Sequence, residues 1–144
     1  MAALRRSLTA VLAALTLHVN AAPLRAGFTS VERAGMPVAL FYPTQAAEEA
    51  QVLGISTLRV ARGGAPEATV RGLVLLSHGT GGSELGHAGL AQALARRGYL
   101  VAAPRHPGDH WRDTSLRSLP DGGYFAARPQ QASALLDALL ADPA

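Results

Sequence analysis

The chain has 144 residues, 49% of them hydrophobic, which suits one domain with a modest core and argues against disorder. Cysteine is absent, so a thiolate nucleophile, a cysteine zinc site and disulfide support are all excluded. All 13 basic residues are arginine against 10 acids, a formal charge of +3, and no basic stripe interleaved with aromatics marks a nucleic-acid surface.

Residues 1–22 read as a signal peptide. Arg5 and Arg6 form a charged start, and Leu8 to Leu17 form an apolar stretch. That stretch is too short to span a bilayer, which takes about 20 residues. Val19-Asn20-Ala21 resembles a cleavage site, and an N-terminal core helix is the alternative. The expectation is export to the periplasm or medium of a bacterium, no stable membrane span, and a single domain over 23–144.

Gly27 to Glu32 and Pro37 to Tyr42 predict two strands, with Arg33-Ala34-Gly35-Met36 as the hairpin turn. Gln45 to Leu53, rich in Ala and Glu, predicts a short surface helix. Thr57 to Arg62 predicts an edge strand, followed by a turn at Gly63-Gly64-Ala65-Pro66. Val70 to Ser77 predicts a central strand, because a run apolar at nearly every position suits burial on both faces of a parallel sheet. A helical pattern follows from about Leu85 to Arg97, Gly98 breaks it, and Tyr99 to Ala103 predicts the next strand. Pro104 to Asp121 is a long loop of the kind that often carries function. Pro129 then fits the first turn of a helix containing Leu135, Leu136, Leu139 and Leu140. The fold class is therefore α/β: a mixed sheet with an antiparallel N-terminal hairpin and parallel central strands flanked by helices.

His78-Gly79-Thr80-Gly81-Gly82 lies where α/β folds place their chemistry, at the carboxyl end of a strand. Acyl transfer needs N–H donors aimed at the oxyanion of the transition state. A glycine-dense turn can point backbone N–H groups into a cleft. Thr80 is the natural donor, with Gly79 and Gly81 shaping the loop. The same spacing equally suits a plain strand-to-helix turn with Ser83 as helix N-cap. An anion could also sit at the helix start, although the glycines match neither G-x-G-x-x-G nor G-x-x-x-x-G-K-S/T.

His106, Asp109 and His110, with His78 or His87 in support, offer ligand types for zinc, but they lie on a Pro-Gly loop that does not fix the rings. No resident metal or cofactor is expected. A nucleophile elbow G-x-S-x-G is absent, and neither Ser56, Ser83 nor Ser133 has its context.

Taken in order, Ala26-Gly27-Phe28, Val38 to Thr44, Leu75 to Gly82, Leu94 to Ala102, His106-Pro107-Gly108-Asp109 and Arg128-Pro129 resemble the N-terminal half of an α/β-hydrolase. They most resemble the secreted dienelactone-hydrolase-like enzymes, which are similar to platelet-activating-factor acetylhydrolases. The resemblance implies a serine hydrolase acting on small esters, lactones or acetylated lipids, with Thr80 giving one oxyanion N–H. In that family the serine, acid and histidine come later in the chain. The expectation is thus a chain that stops before the elbow and is inactive alone, with apolar surface along an open sheet edge. The runner-up is a small exported α/β domain binding a carboxylate or phosphate.

Overall fold

The computed structural model describes residues 22–120 and 123–142. The expected signal peptide falls, apart from Ala22, outside the described residues. Among the described residues no helix is long and apolar enough to cross a membrane.

Strands β1 (Arg25–Arg33) and β2 (Met36–Thr44) form the antiparallel hairpin, longer at both ends than the apolar pattern suggests. Its two-residue loop, Ala34-Gly35, has φ of 50° and 72°, the geometry of a type I′ turn whose twist matches the flanking strands. Strands β3 (Glu49–Leu53) and β4 (Ser56–Arg62) form a second hairpin. Strand β5 (Gly72–Leu75), helix α1 (Ala88–Ala95) and strand β6 (Tyr99–Pro104) form a parallel crossover unit. A single 3-10 turn, Ser115–Ser118, interrupts the long loop before helix α2 (Gly123–Ala141). The sheet order is β3-β4-β1-β2-β6-β5, a mixed α/β sheet with both parallel and antiparallel pairs.

Strict alternation divides the core between the two faces. Ala39 and Phe41 of β2 join Val101 and Ala103 of β6 on one face, under Ala88, Ala91 and Ala95 of α1. Val38, Leu40 and Ala102 turn the other way, against Leu135 and Leu139 of α2. The small alanines let α1 lie close to the sheet. Arg96 just beyond it pairs with Glu48 at 2.6 Å, and Gln92 donates to the Arg59 carbonyl at 2.6 Å.

Four expectations are corrected. The segment from Gln45 to Leu53 is not a helix: Glu49 to Leu53 pair in register with Ser56 to Val60. So short a helix would be marginal even with good helix formers, whereas strand pairing supplies backbone partners. The strand from Ser56 is not at the edge, since β4 lies between β3 and β1. Helix α1 is shorter than Leu85 to Arg97, because Ser83 to His87 form turns, and Ser83 Oγ accepts from Leu85 N–H (3.3 Å) rather than capping the helix. Pro129 lies inside α2, which already begins at Gly123. Its ring lies on an exposed position, and the helix continues through it.

Strand β5 is also only four residues long, and every position is half-buried rather than enclosed. Among the described residues β6 is its one strand neighbour, so the other edge of β5 is open.

Candidate active site

The polar residues converge at the carboxyl ends of β5 and β6, where the loop after each strand meets the first half of α2. The glycine loop after β5 is a tight turn. Gly82 N–H donates to the Gly79 carbonyl (3.0 Å), and Gly81 has φ of 71°. Positive φ at the third position marks a type II turn, with Thr80 at the second. A Cβ on Gly81 would land on the Arg117 guanidinium and force it to shift, and the positive φ itself favours glycine there.

Asp109 holds this turn from below. It is fully buried, and its Oδ1 accepts from Gly81 N–H (3.1 Å) and Arg117 Nε (2.7 Å). An Arg128 nitrogen lies 2.8 Å from Oδ2, close enough for an ion pair but off the hydrogen-bonding direction. Burial alone would raise the Asp109 pKa. The bonds from Arg117 and Gly81 and the charges of the two arginines outweigh it, and the carboxyl sits below its ordinary value. Arg128 also donates to the carbonyls of His78 (2.7 Å) and Gly79 (3.2 Å). One carboxylate and one guanidinium thereby fix both sides of the loop. The Thr80 N–H makes no hydrogen bond to any described residue, and Thr80 is exposed.

Two buried histidines stand behind the loop, ring centroids 5.2 Å apart. His106 N–H donates to His78 Nε2 (3.2 Å), so the His78 proton sits on Nδ1, which donates to the Gly79 carbonyl (2.7 Å). Gln131 Nε2 donates to the Pro107 carbonyl, which turns its Oε1 toward His106 Nδ1 (2.8 Å). His106 is thus also protonated on Nδ1, and its Nε2 accepts from the Ser77 hydroxyl (3.0 Å). Burial pushes both pKa values down, and the positive charge of Arg128 adds to it. Both rings are neutral at pH 7.

The Ser77–His106–Gln131 chain was not readable from spacing, because its members come from three separate segments. It has the layout of a nucleophile, base and orienter. Gln131 is an uncharged amide, however, and burial together with the charge of Arg128 outweighs the support that Gln131 and Asp109 give to a proton on His106. The chain acts as a strut between β5, β6 and α2.

The zinc arrangement is not assembled. His106 faces Ser77 and Gln131, Asp109 faces two arginines, and His110 Nδ1 accepts from Arg112 N–H (3.2 Å). Among the described residues no three acidic or histidine side chains stand close enough to hold a metal ion. Ser56 opens β4 and Ser133 is exposed midway along α2, neither against a histidine.

A cavity of about 550 Å³ adjoins the turn at Gly81 and Gly82 and reaches the β3–β4 hairpin and Trp111. A larger one, about 660 Å³, lies at the opposite end of the parallel strands, against Leu40, Tyr42 and Leu100.

No protein-family model matches the chain, and no curated protein matches it. Among solved structures it is similar to a ferulic acid esterase from Streptomyces cinnamoneus, with 25% identity over 72% of this chain and a TM-score of 0.49. The match covers 38% of that esterase, so the chain spans well under two thirds of its length.

Proposed function

We propose that the chain is the N-terminal part of an α/β-hydrolase: a secreted serine carboxylic-ester hydrolase of the dienelactone-hydrolase-like kind. In this proposal it contributes the oxyanion loop, and the serine, acid and histidine of the triad lie outside these 144 residues. The substrate is a small ester.

The observation that carries the proposal is the Gly79–Gly82 turn, clamped by Asp109 and Arg128, with the Thr80 N–H left over at the strand end. A donor held in place before the reaction costs no reorganisation when charge develops on the carbonyl oxygen. The alternative, a resident carboxylate or phosphate, would want a free cation beside the loop. The nearby ones are occupied: Arg117 and Arg128 by Asp109, and Arg105 by Glu84 at 3.4 Å. A charge that exists only in the transition state fits better a setting in which these cations are already engaged.

Thr80→Pro is the informative variant. Proline is favoured at the second position of a type II turn, so the turn survives while the N–H is removed. The DNA beyond codon 144 is to be read and its extended product assayed with p-nitrophenyl acetate. The expected result is esterase activity that falls about a hundredfold to a thousandfold in kcat with Thr80→Pro. Equal activity of the two proteins would overturn the proposal, as would a continuation without G-x-S-x-G. So would hydrolysis by the 144-residue chain well above its own Thr80→Pro variant.

A further inference from the structure

The cavity beside the turn has features that the oxyanion loop alone does not explain. Gly81 and Gly82 belong to both, so the cavity adjoins the turn that carries Thr80, although Thr80 itself does not line it. Its walls are mostly glycine backbone and apolar side chains, with Leu85 packed close to Gly54 across it. Two large apolar side chains stand at the rim without burial. Ile55, at the hairpin tip, is fully exposed, and Trp111 is 58% exposed. Scattered apolar exposure is ordinary, but two such groups around one concave mouth mark a ligand site.

The Trp111 indole is held in place. Its N–H backbone group donates to the Gly82 carbonyl (3.2 Å), which ties its loop to the oxyanion turn. The Arg112 guanidinium lies 4.2 Å from the ring centroid, a cation–π contact that orients the indole plane. Both charged side chains lining the cavity, Arg105 and Glu84, are paired with each other, so the walls themselves carry no net charge. Glycine walls leave flat space, and a fixed indole prefers a flat partner.

We propose that this cavity is an aryl pocket: it takes the aromatic ring of a neutral ester, against Trp111 and Ile55, next to the oxyanion turn. The catalytic meaning of the pocket rests on the oxyanion reading of the loop, but binding does not.

Trp111 is the single tryptophan of the chain, so its emission reports on the pocket directly. The test is a titration of the protein with phenyl acetate and with cyclohexyl acetate, which share size and ester group and differ in aromaticity. The expected result is a saturable change with phenyl acetate, half-complete on the order of a millimolar for so small a ligand. Cyclohexyl acetate should bind about threefold to tenfold more weakly. Gly89 lines the cavity from α1 with open space around its Cβ position, so Gly89→Phe should fill the pocket and abolish saturation. Ile55→Asp, at a fully exposed site where folding is not at stake, should weaken it as well. Linear quenching by both esters, equal affinity for the two, or saturation unchanged in both variants would overturn the pocket. Hydrolysis is not measured, so such a failure leaves the oxyanion loop standing, and a failed esterase assay leaves the pocket standing.

Discussion

At the residue scale the site depends on Asp109, a fully buried carboxylate that no apolar pattern points to. It pairs with both Arg117 and Arg128 and satisfies the Gly81 N–H, so three segments of chain meet on one side chain. Asp109→Asn keeps the shape and removes the charge. Breaking a buried ion pair from one side leaves the other charge uncompensated, at a cost of 3–5 kcal/mol when fully buried. Arg117 and Arg128 retain some exposure, which moderates that figure. A loss of about 3 kcal/mol is expected, read as a lower urea midpoint at unchanged slope. An unchanged midpoint would mean that the carboxylate does not hold the loop. The sequence marks Asp109 as a polar residue on a functional loop, grouped with His106 and His110. Its true partners, Gly81 behind it and the arginines ahead, are joined only by the fold.

At the element scale, what can be read in advance is what repeats locally. The β1–β2 hairpin announces itself by two strand-like runs on either side of the Arg33-Ala34-Gly35-Met36 turn, and β6 by its apolar run after Gly98. The segment from Gln45 misleads because Ala and Glu favour helices intrinsically, while pairing with β4 is a property of the partner strand. The extent of α2 misleads likewise, because Pro129 is taken as a start signal although the helix begins six residues earlier, at Gly123. Close packing within the hairpin yields a sharper expectation. Gly27 faces Tyr42 in register, and a Cβ at Gly27 would fall within the Tyr42 ring. Tyr42 is buried and cannot swing freely to solvent. Gly27→Ala should therefore destabilise the protein by about 1–3 kcal/mol through overpacking. Thermal unfolding followed by circular dichroism measures it, and the double variant Gly27→Ala, Tyr42→Leu should recover part of the loss. A Gly27→Ala protein as stable as the parent would show that the hairpin can shift to make room.

At the scale of the whole molecule, the two-faced core is legible from the unbroken apolar runs of β2 and β6, whereas the polar bracing at one end of the sheet is not. That bracing links β5, β6 and α2 through His78, His106, Gln131 and Arg128, and it sets how the whole fold responds to acid. Both histidine pKa values are lowered by burial from the ordinary 6.5. In the unfolded chain each histidine takes up a proton near its ordinary value, while in the folded chain each still excludes it. The unfolded state therefore binds more protons just below pH 6.5, and stability rises with pH through that window. The contribution is intact above about pH 6.5 and is lost as pH falls through the lowered folded values. Asp109, held below 3.8, adds a second loss at lower pH, because its ionised form is the one the fold prefers. The melting temperature should be highest above pH 6.5 and fall steadily between pH 6.5 and 5. His106→Gln removes one of the two titrating rings, so it should flatten that slope even where it lowers the plateau. A melting temperature constant from pH 7 to 5, or a slope unaffected by His106→Gln, would show that the buried ring does not bind a proton on unfolding as the hydrogen-bond chain requires.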